Sequence, residues 1–217
     1  MPLNIAEKLF SFSKYIFFEV LSVKFRPGSA KTLIDFSYVI FEKVAAKFNI
    51  ISSNYFKMYQ ELVDKEIKMV GISPEDKVMV IGCGSLPITA VLVAIKTKAH
   101  VIAIDKDEIA VKKAVNYIRN HHLEDKVEIE HADVEFYPLN KFDVIYLSYG
   151  MNNSRDIFRS ISNRTKKNSR IIFRTVIGSQ EDNKKRTMEL SNWFLVKDKI
   201  KSETLPPSGS YLLLKKD

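Results

Sequence analysis

Two glycines and a carboxylate in this sequence have the spacing of a nucleoside-binding site. Gly82, Cys83 and Gly84 end one apolar run, and Asp105 ends the next apolar run about 20 residues later. Glycine has no Cβ, so the backbone can turn sharply there and approach a ligand. A carboxylate at that distance can accept hydrogen bonds from ribose hydroxyls. The pattern therefore predicts a ligand that contains an adenosine ribose, and a purely structural glycine turn is the alternative.

The glycine turn differs from the dinucleotide-binding fingerprint at its third position. Counted from Gly82, the last glycine of G-x-G-x-x-G is replaced by Pro87, which suits a first helical turn. That glycine normally allows the helix to pack closely on the strand. The turn therefore suits S-adenosylmethionine better than NAD.

Polar side chains also follow the ends of two later apolar runs. Asp133 comes after a third run, where an acid can accept a hydrogen bond from the adenine amino group, and Ser148 comes after a fourth. Ligands of open α/β sheets lie beyond the carboxyl ends of the strands, so both residues should lie near Asp105. The predicted cofactor-binding residues are Gly82, Cys83, Gly84, Leu86, Pro87, Asp105, Lys106, Asp133, Val134 and Ser148.

The alternation of apolar runs with helical patterns predicts an α/β fold with a Rossmann-like, doubly wound sheet. Strands that are buried on both faces form continuous apolar runs. The last two strands should form an antiparallel hairpin at one edge. The predicted strands are 78–81, 101–104, 126–131, 142–147, 170–176, 193–200 and 210–215, with helices at 88–96, 107–120 and 153–164.

The N-terminal third of the chain is predicted to be helical, because apolar residues recur there at helical spacing. Ser53 or Asn54 can cap the last of these helices. The predicted helices are 3–25, 30–48 and 51–70. The predicted domains are an N-terminal helical domain or lid, 1–70, and a Rossmann-like domain, 71–217.

Two tyrosines lie on one face of the third helix. Tyr55 and Tyr59 are four residues apart, and a short turn connects their helix to the first strand. This face should therefore lie over the nucleoside pocket. Two interpretations remain open: a stripe of core aromatics, or a lid whose hydroxyls reach the substrate.

The charge of the chain gives little indication of a nucleic-acid partner. Among 217 residues, 34 basic and 26 acidic side chains leave a net charge of +8. The basic residues are scattered, and the tightest cluster, residues 184–186, lacks interleaved aromatics that could stack on bases. We therefore expect a small-molecule partner and no nucleic acid, and leave open whether the chain is a monomer or a homodimer.

The same composition argues against membrane and metal classes. Charged residues interrupt the N-terminal apolar stretch, so it does not resemble a signal peptide, and no apolar run reaches the length of a membrane span. Cys83 is the only cysteine, which favours a reducing, cytoplasmic compartment. The histidines lack metal-ligand spacing, so no metal site is expected.

Several short motifs in residues 50–217 resemble nicotianamine synthases and their archaeal and bacterial relatives, which have the class I methyltransferase fold. The family turn G-x-G-P-L-P corresponds to residues 82–87, with Ser85 in place of a proline. The family helix Y-[YF]-x-x-Y-x-x-L-x-x-x-E corresponds to residues 55–66. Further matches are Ala132-Asp133-Val134, Phe142-Asp143-Val144-Ile145, Arg174-Thr175 with Gly178, and Ser210-Tyr211-Leu212-Leu213.

The resemblance implies transfer of the 3-amino-3-carboxypropyl group of S-adenosylmethionine to an amino acceptor, with release of methylthioadenosine, as in metallophore biosynthesis. Such a displacement needs an amine in line with the C–S bond and a group that accepts its proton. By the resemblance, Tyr59 and Glu66 would lie near the aminocarboxypropyl end, and Arg174 could pair with a carboxylate. These three are the predicted catalytic residues, and a structural Glu66–Arg174 ion pair is the alternative.

The chain also departs from this family. Residues 179–182 replace the family motif R-x-x-L-Y-P, and the family's catalytic glutamate has no clear match, with Asp35 and Glu42 as candidates. Methyl transfer to a small molecule therefore remains an alternative activity. A non-catalytic nucleoside-binding relative is a further alternative.

Overall fold

A mixed sheet of seven strands lies at the centre of the residues that this computed structural model describes, namely 49–148, 155–177, 179–204 and 208–216. Its strands are β1 Lys77–Ile81, β2 His100–Asp105, β3 Val127–His131, β4 Val144–Leu147, β5 Arg170–Val176, β6 Phe194–Lys201 and β7 Ser208–Lys215. Two predicted helices, 3–25 and 30–48, lie outside the described residues, as do Asp35 and Glu42.

The strand order is β3-β2-β1-β4-β5-β7-β6, and β7 runs antiparallel to β5 and β6, whereas all other adjacent strands are parallel. This order confirms the predicted Rossmann-like, doubly wound fold and its antiparallel edge. The chain reverses its direction of winding between β1 and β4. Ligands of such sheets bind at that switch point, beyond the carboxyl ends of the strands.

Five helices in the described residues cover the two faces of the sheet: α1 Asn49–Val70, α2 Ile88–Thr97, α3 Glu108–Asn120, α4 Arg155–Arg164 and α5 Gln180–Leu190. The core on one face contains side chains of α1, α2 and α3, and the core on the other contains side chains of α4 and α5. Successive strand residues point to opposite faces and are buried on both. Because both faces of these strands are buried, the strands are continuous apolar runs in the sequence.

One expectation about the helices was wrong, and one helix was not predicted. Helix α1 already begins at Asn49, so Ser53 and Asn54 lie inside it and do not cap it. Helix α5 was not predicted, because it is polar and has no apolar stripe. Its start is nevertheless encoded locally: Ser179 and Asp182 form a reciprocal capping box. The Asp107 side chain caps α3 as its position suggests.

Within the described residues, no helix combines the length and the apolar composition needed to cross a membrane.

Candidate functional site

The glycine turn closes over the carboxyl end of β2. The N–H groups of Gly82 and Cys83 both donate to the Ile104 carbonyl, at 2.9 and 3.1 Å. Gly82 and Gly84 have φ angles of 75° and 66°, a backbone region that other residues rarely adopt. The sequence therefore needs glycine at these two places to make the turn.

The carboxylate of Asp105 fixes the turn from the next strand. Its Oδ2 accepts from the Gly84 N–H at 2.8 Å, and its Oδ1 accepts from the Asp107 N–H at 3.0 Å. An ionised carboxylate has about two acceptor sites on each oxygen. Each oxygen therefore keeps an acceptor site for a ligand hydroxyl. A vicinal diol such as that of ribose, which has two O–H donors, fits this pair of acceptors.

The ends of β2 and β3 bring Asp133 to the same edge. Asp105 pairs in register with His131, and His131 Nε2 lies 3.1 Å from the Lys106 carbonyl. Asp133 is exposed, and its Oδ1 accepts from the Glu135 N–H at 2.9 Å. The remaining oxygen can accept from an amino group such as that of adenine.

Ser148 lies on the other side of the turn. Its N–H donates to the Ile81 carbonyl at 3.1 Å, and a Cβ added at Gly82 would meet the Ser148 Cβ at 3.5 Å. The side chains of Cys83 and Leu86 are buried in the core at 7% and 6% exposure. A ligand above the turn would therefore meet mainly backbone at those two residues.

The three predicted catalytic residues lie together on the face of the sheet that carries α1. Arg174 donates to Glu66 through two nitrogens, from Nε to Oε1 at 2.8 Å and from Nη2 to Oε2 at 2.6 Å. Glu66 is 0% exposed and Arg174 is 2% exposed. The Tyr59 ring centre lies 5.5 Å from the guanidinium carbon. The pair is thus a buried bidentate ion pair beneath an aromatic ring.

Sequence reasoning missed three residues that complete this cluster. Arg174 Nη1 donates to the Thr89 hydroxyl at 2.6 Å, the Ser210 hydroxyl donates to Glu66 Oε1, and the Tyr146 ring centre lies 5.5 Å from the Arg174 guanidinium carbon. Thr89 and Tyr146 stand within apolar runs that mark only burial. The sequence indicated only Ser210, through the family match at Ser210-Tyr211-Leu212-Leu213, and that match did not predict a contact with Glu66.

Near this site, the buried hydroxyls of Ser85 and Tyr146 have no hydrogen-bond partner among the described residues. Burial, together with the charge of Glu66, raises the pKa of Tyr146 well above its usual value. The phenol therefore stays protonated at all ordinary pH values. In the described part of the chain, no group of histidine, cysteine and carboxylate side chains could hold a metal ion.

Comparisons with known proteins indicate a methyltransferase domain. Residues 72–206 match the family model described as "Methyltransferase domain". A crystal structure of a point mutant of MtNAS in complex with S-adenosylmethionine superimposes with a TM-score of 0.73 at 16% identity, covering 98% of this chain and 91% of that one. An RNA methyltransferase from Salinibacter ruber, in complex with S-adenosyl-L-homocysteine, gives 0.54 at 14%, covering 71% and 91%. These likenesses establish the fold.

One relative is also similar in sequence. The L-histidine 2-aminobutanoyltransferase of Yersinia pestis is 30% identical over 77 residues, which are 36% of this chain. The match spans 29% of the length of that protein.

Proposed function

This chain belongs to the methyltransferase domain family and is an enzyme that uses S-adenosylmethionine as co-substrate, and we propose that it transfers the 3-amino-3-carboxypropyl group to an amino group of a small molecule. The observation that carries this proposal is the convergence of Tyr59, Glu66 and Arg174 next to the first turn of α2. These residues come from the motifs that resemble nicotianamine synthases. The Yersinia pestis relative is named as a transferase of a four-carbon amino-acid group, 2-aminobutanoyl, to L-histidine, and this name supports transfer of a group of that size to an amino acid.

The residues at the carboxyl edge of the sheet fit the adenosine part of this co-substrate. Asp105 would accept from the ribose hydroxyls, Asp133 would accept from the adenine amino group, and the backbone of the glycine turn would face the methionine part. Lys106, Val134 and Ser148 border the same space. These roles follow from the acceptor sites that the two carboxylates retain.

S-adenosylmethionine supplies a sulfonium whose neighbouring methylene carbon bonds to the amine nitrogen while the C–S bond breaks and its electrons leave on methylthioadenosine. The chain has to hold the acceptor amine in line with that bond and to receive its proton. Tyr59 lies on the helix that covers this end of the sheet and would orient the aminocarboxypropyl group.

Methyl transfer is the second candidate, because the matched family is described as a methyltransferase domain. Two labelled co-substrates separate the candidates. S-adenosylmethionine labelled at the carboxyl carbon should label an acceptor from a pool of amino acids or a cell extract, while methylthioadenosine accumulates above an enzyme-free control. Label that reaches the acceptor only from the S-methyl group, with S-adenosylhomocysteine as product, would establish methyl transfer instead.

A third outcome would be tight binding of S-adenosylmethionine without either product. It would indicate a non-catalytic nucleoside-binding relative and would contradict both transferase proposals. The cytoplasmic location, the metallophore product and the absence of a nucleic-acid partner remain predictions from the sequence.

A further inference from the structure

The Glu66–Arg174 pair connects the helix over the site to the helix that follows the glycine turn. Glu66 lies on α1, and Arg174 lies near the carboxyl end of β5. The third donor of Arg174 reaches Thr89, in the first turn of α2, two residues after Pro87. One guanidinium therefore links α1, β5 and the start of α2.

The surroundings of the pair leave little room for a substrate group. The guanidinium lies 5.5 Å from the ring centres of Tyr59 and Tyr146. Both oxygens of Glu66 accept from Arg174, and Ser210, the register partner of Arg174 on β7, donates to Oε1 as well. A substrate carboxylate could take the Nε and Nη2 donors of Arg174 only by displacing Glu66.

Energetics favour the same interpretation. A buried ion pair often contributes no more stability than apolar residues of similar volume, although removal of one partner is strongly destabilising. Such a pair is therefore better explained by what it holds in place than by net stability. Here it fixes the position of α1, and with it Tyr59, relative to the turn at Gly84.

We propose that Glu66 and Arg174 are positioning residues that hold α1 and Tyr59 against the first turn of α2, and that neither contacts the substrate. The inference rests on the proposed function, since Tyr59 is assigned to the aminocarboxypropyl end. It assigns to Thr89 the link between the pair and the glycine turn.

A double-mutant cycle tests this role. The variants are Glu66→Leu, Arg174→Met and the double variant. For each, we would measure the melting temperature, the dissociation constant of S-adenosylmethionine, and the kcat and KM of product formation. Each single variant leaves one buried charge unpaired and should lose at least tenfold in affinity and in kcat/KM. The double variant should recover to within about threefold of the unmodified chain, because it buries no charge. A double variant that melts normally and keeps the amide exchange rates of α1 and α2 unchanged, but stays as inactive as the singles, would show that the two polar groups act on the substrate and would overturn the proposal.

Thr89→Val provides a second test that leaves both charges in place. Amide hydrogen exchange should become faster in the first turn of α2 and also in α1, at least threefold in each, because Arg174 couples them. Faster exchange confined to α2 would overturn the coupling. Thr97→Val is the matched control: its hydroxyl bonds the Val93 carbonyl within α2 at 2.7 Å, so exchange in α1 should not change.

These measurements separate the failure of the positioning role from the failure of the proposed function. If the unmodified chain releases no product from S-adenosylmethionine, the proposed function fails. The exchange experiment still decides whether the pair couples the two helices. If the chain turns over but a double variant with unchanged amide exchange in α1 and α2 does not, the function stands and the positioning role falls.

Discussion

The carboxylate of Asp105 has a structural task as well as a predicted binding task, because it accepts from the Gly84 and Asp107 N–H groups. We expect Asp105→Ala to lower the affinity for S-adenosylmethionine at least about tenfold, since hydrogen bonds to a charged group contribute about 1.5–3 kcal/mol. The free energy of unfolding should also fall, because two backbone donors lose their acceptor. Calorimetric titration and thermal melting measure the two effects.

Asp107→Ala is the matched control for that variant. Asp107 caps α3 by accepting from the Ile109 and Ala110 N–H groups, and loss of such a cap costs about 1 kcal/mol. Its stability loss should resemble that of Asp105→Ala, with little change in affinity. An equal loss of affinity in both variants would mean that Asp105 acts only by supporting the fold.

The hydroxyl of Tyr146 should lower the stability of the ligand-free protein. It is fully buried without a hydrogen-bond partner among the described residues, and an unsatisfied buried polar group costs about 1–3 kcal/mol. Tyr146→Phe should therefore raise the melting temperature. Tyr137→Phe is the control, because its hydroxyl donates to Glu130 at 3.0 Å and its loss should be destabilising. If both variants melt earlier, Tyr146 has a bonded partner, such as an ordered water.

At the level of elements, a cluster of polar contacts fastens α1 to the connection between β6 and β7. Glu61 accepts from the hydroxyls of Ser202 and Thr204, at 2.7 and 3.1 Å, and pairs with Lys65 at 2.6 Å. Lys65 also contacts Glu203 at 2.8 Å. Burial raises the pKa of the Glu61 carboxyl, but these hydrogen bonds outweigh it, and the net pKa is lowered.

We therefore expect Glu61→Gln to loosen α1 from that connection. The neutral amide accepts more weakly and loses the ion pair, so the free energy of unfolding should fall by about 1 kcal/mol. Amide exchange should become faster in α1 and near Ser202 together. Glu75→Gln, which removes a carboxylate from an exposed turn, should change neither quantity. Unchanged exchange in Glu61→Gln would show that apolar packing alone holds the helix.

The elements that the sequence predicted well are those whose burial is periodic or continuous. The apolar runs located β1, β2 and β4 because both faces of the central strands are covered, and β5 was predicted with its bounds intact, Arg170–Val176. Helix α5 was missed because only Leu190 among its residues is buried. Its signal was the local Ser179–Asp182 pair, which a search for capping boxes would have found.

For the molecule as a whole, spacing along the chain predicted contacts made at one edge of the sheet but not contacts made through its core. Asp105 and Asp133 follow strand ends, and parallel topology alone brings them together. The contact of Arg174 with Thr89 depends on side-chain direction across several elements, which no local pattern specifies. The sequence could therefore indicate which residues meet at that edge, whereas the contacts of the Glu66–Arg174 pair with Thr89 and Tyr146 required the three-dimensional structure.

The balance of charge in the whole molecule predicts a loss of stability in acid. Among the residues that the structure describes, the pKa values of four carboxyls are lowered by folding, those of Glu61, Glu108, Asp143 and Asp182. Since each binds its proton less readily when folded, the unfolded chain takes up more protons as the pH falls. The stability that these groups contribute is present above their unfolded pKa values of 4.5 or 3.8 and is lost as the pH falls through the lower folded values.

We expect the melting temperature to change little between about pH 5.5 and 8 and to fall steeply below about pH 4. Asp143→Asn tests the origin of the fall, because Asp143 accepts from the Lys77 N–H at 2.9 Å and from Lys166, at the end of the sheet opposite the candidate site. Burial raises the pKa of Asp143, and these hydrogen bonds outweigh it. The variant should melt earlier at pH 7 and show a shallower decline between pH 5 and 3. An unchanged slope would mean that other groups determine acid stability.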